Sequence, residues 1–193
     1  MYGVDLYWIP LGAGQSVVRL SGRVFEAAAA WVHHRPSCDL YHTALIVTVP
    51  TGRFVIEMTP VPDRNGARRG VVVEGPVGTK WAGRFRVFRY EVRRWNGGSI
   101  PDAQYAAAIE PVCADVARAQ RLLDAVESVP ATVWGRDELG AGGMWNSNSV
   151  TAWLLSRAGI DTTGLCPPGN GRAPGWSAGL VVAGRSDRVT LDG

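Results

Sequence analysis

Apolar positions along this chain follow two periods, and the switches between them outline the elements. VDLYWIPL (4–11) reads as a short strand leading into the loop GAGQS. YHTALIVTV (41–49) and GRFVIEM (52–58) flank Pro50-Thr51-Gly52, a pattern that predicts a β-hairpin. After the polar loop PDRNGARRG (62–70), VVVEGPVG (71–78) is predicted as a further strand. GRFRVFRYEVRRW (83–95) is strand-like as well, but its alternation slips near Val87 and Phe88, as at a bulge or a sheet edge.

Helical spacing appears in three other places. The segment 22–34 is Ala-rich and is ended by Pro36. Between Pro111 and Val129, residues Val112, Val116, Ala119, Leu122, Leu123 and Val126 recur at helical intervals, and Pro130 closes the run. In MWNSNSVTAWLLSRAGI (144–160) a polar start precedes an apolar helix that Gly159 stops. A Gly/Pro-rich loop is expected over 164–179, and 184–193 is expected to be a frayed tail. With no internal repeat and no linker, residues 1–193 are expected to form one α+β domain: a helix, a mostly antiparallel sheet, then helices.

Composition narrows the function classes. At 193 residues, 46% hydrophobic and 19% charged, the chain has enough apolar material for a substantial core. A net charge of +3 does not demand a polyanionic partner. Cys38, Cys113 and Cys166 are odd in number and far apart, which suggests neither a disulfide framework nor a zinc knuckle. MYGVDLYWIPLGAG lacks a basic leader, and no apolar run approaches the ~18 residues of a membrane span, so a soluble, cytoplasmic protein is expected.

The polar start Asn146-Ser147-Asn148-Ser149 raises the central question, because a helix cap needs one such residue and here there are four. The alternative to capping is chemistry. Helix-start N–H groups and the helix dipole can stabilise a nucleophile or an oxyanion. Nucleophilic catalysis also needs a base and a group to orient it. His42 opens one hairpin strand, and Glu57 lies near the end of the other, so the two can meet across the ladder.

In this order, a strand histidine, an acid on the neighbouring strand and a hydroxyl at a helix start, the residues resemble the circularly permuted papain-like (NlpC-type) superfamily. Its relatives include permuted cell-wall-type amidases and the lecithin retinol acyltransferase group. "YHTALIV…GRFVIEMTP" is similar to its H-V-G-I…G…V-I-E-A hairpin, and "WNSNSVTAWLL" to its N-C-x-x-F/W helix start. The resemblance covers about 42–58 and 145–155. It implies a permuted papain-like fold and an amide or ester hydrolase or acyltransferase acting on a small-molecule, peptide or lipid substrate, with no cofactor. Ser147 takes the nucleophile position, His42 the base position and Glu57 the orienting position. Tyr41, Trp145, Asn146 and Asn148 fall beside the substrate. The superfamily has cysteine where this chain has Ser147, and a hydroxyl is far less acidic than a thiol. MWNSNS is also similar to an actinobacterial-type branch in which the serine would be the natural residue. A catalytically silent binding module is the competing reading.

Other motifs carry weaker chemistry. His33, His34, Cys38 and His42 have no standard metal-ligand spacing, so no metal is expected. GAGQSV (12–17) is an incomplete dinucleotide fingerprint. Arg84, Arg86, Arg89, Arg93 and Arg94, interleaved with Phe85, Phe88 and Tyr90, resemble a nucleic-acid surface but read more readily as a solvated sheet face. RAPGW (172–176) reads as a rigid loop packed on the sheet.

Overall fold

The hairpin sets the register of the whole sheet. In the computed structural model, which describes residues 1–12, 38–61 and 70–191 with side chains as far as Arg185, Pro50 and Thr51 form a two-residue turn. It joins β2 (Tyr41–Val49) to β3 (Gly52–Pro60), with Val49 opposite Gly52. Gly52 has φ 148°, and a Cβ there would lie 2.7 Å from the Asn96 side chain, so glycine is required at that corner. β1 (Gly3–Pro10), β4 (Val71–Pro76), β5 (Arg89–Asn96) and β6 (Ala108–Cys113) complete a six-stranded sheet of order β4-β5-β3-β2-β1-β6, antiparallel throughout.

Three helices are described: α1 (Val116–Ala125), α2 (Ser147–Arg157) and α3 (Trp176–Leu191). The sequence pattern therefore gave the α+β class, the hairpin, β1, β4 and α2 within a residue or two. The helix expected over 22–34, the GAGQS residues 13–16 and the loop residues 62–69 lie outside the described residues.

Three expectations are corrected. The strand expected over 83–95 is shorter, because Trp81–Arg84 and Arg86–Phe88 are 3₁₀ turns and β5 begins only at Arg89. The slip in alternation at Val87 and Phe88 marks that boundary. The helix expected from Pro111 begins at Val116, where the Asp115 carboxylate accepts the Arg118 N–H at 3.0 Å as an N-cap. Val112 belongs instead to β6, an edge strand that can hold Pro111 because it pairs on one side only. Finally, α3 carries the chain to Leu191 where a tail was expected. Its Gly179 lies against the Ser149 backbone of α2, so close that a Cβ would fall 2.1 Å from the Ser149 carbonyl oxygen.

The two faces of the sheet have different cores. Val4, Leu6 and Trp8 of β1, Leu45 and Val47 of β2, and Ile56 and Met58 of β3 pack under the helices against Leu122, Val150, Leu154 and Val182. The alternate residues Ile9, Ala44, Ile46 and Val55 form a smaller cluster on the opposite face with Ile100, and Tyr7, Trp95, Ala103 and Ala106 pack around it. Since strand side chains alternate between faces, each site residue on β2 and β3 is assigned to one side or the other by its neighbours.

Candidate functional site

The start of α2 is a buried polar knot. Asn146 is the N-cap, and its side-chain oxygen accepts from the backbone N–H groups of Asn148 (3.0 Å) and Ser149 (3.2 Å). The Ser149 hydroxyl returns the bond, accepting from the Asn146 N–H at 3.2 Å, which closes a capping box. That hydroxyl also donates to the Met144 carbonyl at 2.8 Å. Asn148 reaches further. Its amide donates to the carbonyls of Tyr41 and Pro174, each at 3.0 Å, and its oxygen accepts from the Thr43 hydroxyl at 3.1 Å. Asn146 donates to the same Pro174 carbonyl at 2.8 Å.

These bonds tie three segments together: β2, the start of α2, and the loop that leads into α3. Gly175 completes the joint. It has φ 86°, and a Cβ there would sit within 2.7 Å of Ser149, Met144 and Asn146 atoms. Of the seven residues that the sequence nominates, Tyr41, Trp145, Asn146, Ser147, Asn148 and Glu57 are buried, and Asn148 is only 2% exposed. Tyr41 and Trp145 belong to the core beneath the helices and do not form the walls of an open cleft.

The candidate triad is split by the sheet. Thr43 faces α2: its hydroxyl lies 3.1 Å from Asn148 and 3.4 Å from the Ser147 carbonyl, and its strand partner is Trp8 of the helix-side core. His42, the next residue, therefore points to the other face, where its strand partner Ile9 packs with Ala44 and Val55. Glu57 alternates with Ile56 and Met58 of the helix-side core, so it shares the face of His42. The structure thus brings His42 and Glu57 to one face and Ser147 to the opposite one. The proton transfer from Ser147 to His42 that the sequence suggests has no direct path.

Electrostatics on the far face do not prepare a base either. Glu57 stands opposite Arg93 on β5, whose guanidinium lies 3.6 Å from its carboxylate and also bonds Glu91. Burial pushes His42 down to about 4, so it is neutral near pH 7. The Glu57 carboxylate is engaged by a cation of its own. On the near face, the Asn148 and Ser149 N–H groups that could hold an oxyanion already bond Asn146.

The sequence reading missed Thr43, Pro174 and Gly175 as parts of the knot, and Arg93 as the partner of Glu57. Strand alternation would have flagged Thr43, since YHTALIV places Thr43, Leu45 and Val47 on one face and His42 on the other. The Arg stripe also divides: Arg93 is buried beside Glu57, and Arg94 binds the Leu123 carbonyl and Glu127. Only Arg84, Arg86 and Arg89 remain as an exposed group. Of the metal-ligand set, His33 and His34 lie outside the described residues.

No protein-family model matches the chain, and no curated protein or solved structure is found similar to it. Among the described residues, no helix is long and apolar enough to cross a membrane.

Proposed function

We propose that this chain is a catalytically silent binding module on a permuted papain-like scaffold. The helix start that carries the nucleophile in that superfamily here acts as a fastening between the sheet and α3. The observation that supports the reading best is the Asn148 side chain. It fills the space between α2 and β2 and spends its donors and its acceptor on Tyr41, Pro174 and Thr43. A nucleophile site needs that space for substrate and needs free N–H groups for the oxyanion. Both are taken.

The hydrolase or acyltransferase reading, with Ser147 attacking and His42 as base, requires His42 to act from the far side of the sheet. A serine-directed fluorophosphonate probe separates the two. The silent reading expects no labelling of the folded protein. Labelling that disappears in Ser147→Ala, with folding unchanged, would establish an activated serine and overturn it.

A further inference from the structure

The segment from Lys80 to Arg89, KWAGRFRVFR, stands out from the end of the sheet as two 3₁₀ turns. Its shape is defined by its own hydrogen bonds. The Phe85 N–H donates to the Ala82 carbonyl and the Phe88 N–H to the Phe85 carbonyl, each at 2.9 Å. The Val77 N–H, just past the end of β4, anchors it by donating to the Phe88 carbonyl at 2.8 Å. On this frame Trp81, Phe85, Val87 and Phe88 are 64%, 51%, 77% and 47% exposed. Arg84, Arg86 and Arg89 are exposed between them. Arg89 pairs with Glu74 and Lys80 with Glu138, each at 3.3 Å. Among the described residues, Arg84 and Arg86 have no carboxylate partner.

Four large apolar side chains held in water by a well-formed turn, with unneutralised arginines interleaved, call for a partner that is apolar inside and anionic at its surface. We propose that this hump docks on an anionic phospholipid surface. Trp81, Phe85, Val87 and Phe88 enter the headgroup–acyl boundary, and Arg84 and Arg86 meet the lipid phosphates. Single-stranded nucleic acid fits less well. Bases need free, roughly parallel ring faces, whereas Trp81 and Phe85 meet edge to face at 69° and the Arg84 guanidinium already lies over the Trp81 ring. Val87, the most exposed of the four, offers a base nothing to stack on. A neighbouring groove of about 440 Å³ contains Lys80 and Arg136 but also Asp137 and Glu138. Its charges balance, so the anion preference is assigned to Arg84 and Arg86 alone. This proposal is independent of whether Ser147 is silent.

Co-sedimentation with vesicles of phosphatidylcholine alone, and of phosphatidylcholine mixed with phosphatidylserine, tests it. The native chain should pellet with the mixed vesicles and be released by salt. Arg84→Ser with Arg86→Ser should weaken binding by about 30-fold, roughly five-fold per basic side chain near an anionic surface. Trp81→Ser with Val87→Ser should weaken it by about ten-fold or more. Circular dichroism shows whether each variant is folded, and Val87→Ser alone serves as the milder variant if the pair is not. No binding of the native chain to mixed vesicles, or equal binding by all variants, would overturn the proposal. So would binding to a single-stranded oligonucleotide without vesicle binding, or a dimer that Val87→Ser dissolves.

Discussion

Residues 146–149 and 81–88 each invert the ordinary rule of burial, and in opposite senses. The first places four polar side chains inside the protein, and the second places four large apolar side chains outside it. In the knot, Asn146, Asn148 and Ser149 find their partners within the chain, on β2, on the Met144 carbonyl and on the loop before α3. Nothing external is needed to explain them. In the hump four large apolar side chains stand exposed, with Trp81 and Phe85 in edge contact, and Arg84 and Arg86 are left without carboxylates. A polar cluster thus signals chemistry only when its hydrogen bonds are left open. An exposed apolar cluster signals a partner when a rigid turn holds it out.

The largest expected effect tests the knot. Asn148→Leu keeps approximate volume but removes two donors and an acceptor. The Tyr41 carbonyl and the Thr43 hydroxyl lose a bond in a region closed to water, Thr43 being left with the longer 3.4 Å bond to the Ser147 carbonyl, while Pro174 keeps Asn146. With about 1–3 kcal/mol for each stranded group, a loss of about 3–4 kcal/mol is expected in urea denaturation. Thr43→Val in the same background should cost much less than it does alone, because its partner has already gone. A loss below about 1 kcal/mol would mean that water serves these groups, and the site would have to be treated as an open pocket.

A somewhat smaller effect belongs to His42, which shares the far face with the Glu57–Arg93 pair. Its folded pKa is about 4 against an ordinary 6.5, because burial disfavours the imidazolium. Between these values the unfolded chain binds the proton and the folded chain does not. The stabilisation is therefore complete above pH 6.5, falls as pH drops through the window, and is gone near pH 4. A shift of this size corresponds to at most about 3 kcal/mol, less because the ring is partly exposed. Measured from pH 7 to pH 4, stability should fall more steeply in the native chain than in His42→Asn, and the difference between the curves isolates the histidine. Parallel curves would mean that His42 is solvated, and would reopen its assignment as a working base.

The sequence made the backbone plan legible and left the site's sidedness hidden, for physical reasons that particular residues show. Pro50-Thr51-Gly52 between two apolar runs specifies a hairpin locally, and Asn146 with Gly159 brackets α2 locally. Val112 falls in phase with the helix that follows, while the strand pairing of its segment to β1 joins residues far apart in the chain, Val4 to Cys113 and Asp5 to Pro111. The proposed triad rested on residue types in a familiar order. Order along the chain does not record which side of a strand a residue faces, and a shift of one position exchanges His42 for Thr43. Strand alternation within YHTALIV held that information, read against the face that α2 covers. That covering face becomes visible only once the sheet is assembled.

The smallest expected effect sharpens the comparison most. Val87→Ser changes a side chain that is 77% exposed and belongs to neither core. If the hump is held only by its turn bonds and its anchor at Val77, stability should move by no more than about 0.5 kcal/mol, the usual range for surface positions. The same holds for Arg84→Ser and Arg86→Ser, since neither arginine has a carboxylate to lose. Removing an exposed apolar group without loss of fold is what a docking element predicts, because its contacts are made with something other than its own chain. If Val87→Ser instead cost 2 kcal/mol or more, a loss typical of core truncation, the valine would be packed in the folded chain in solution. The hump would then be part of the core, and the contrast with the Asn146–Ser149 knot would collapse.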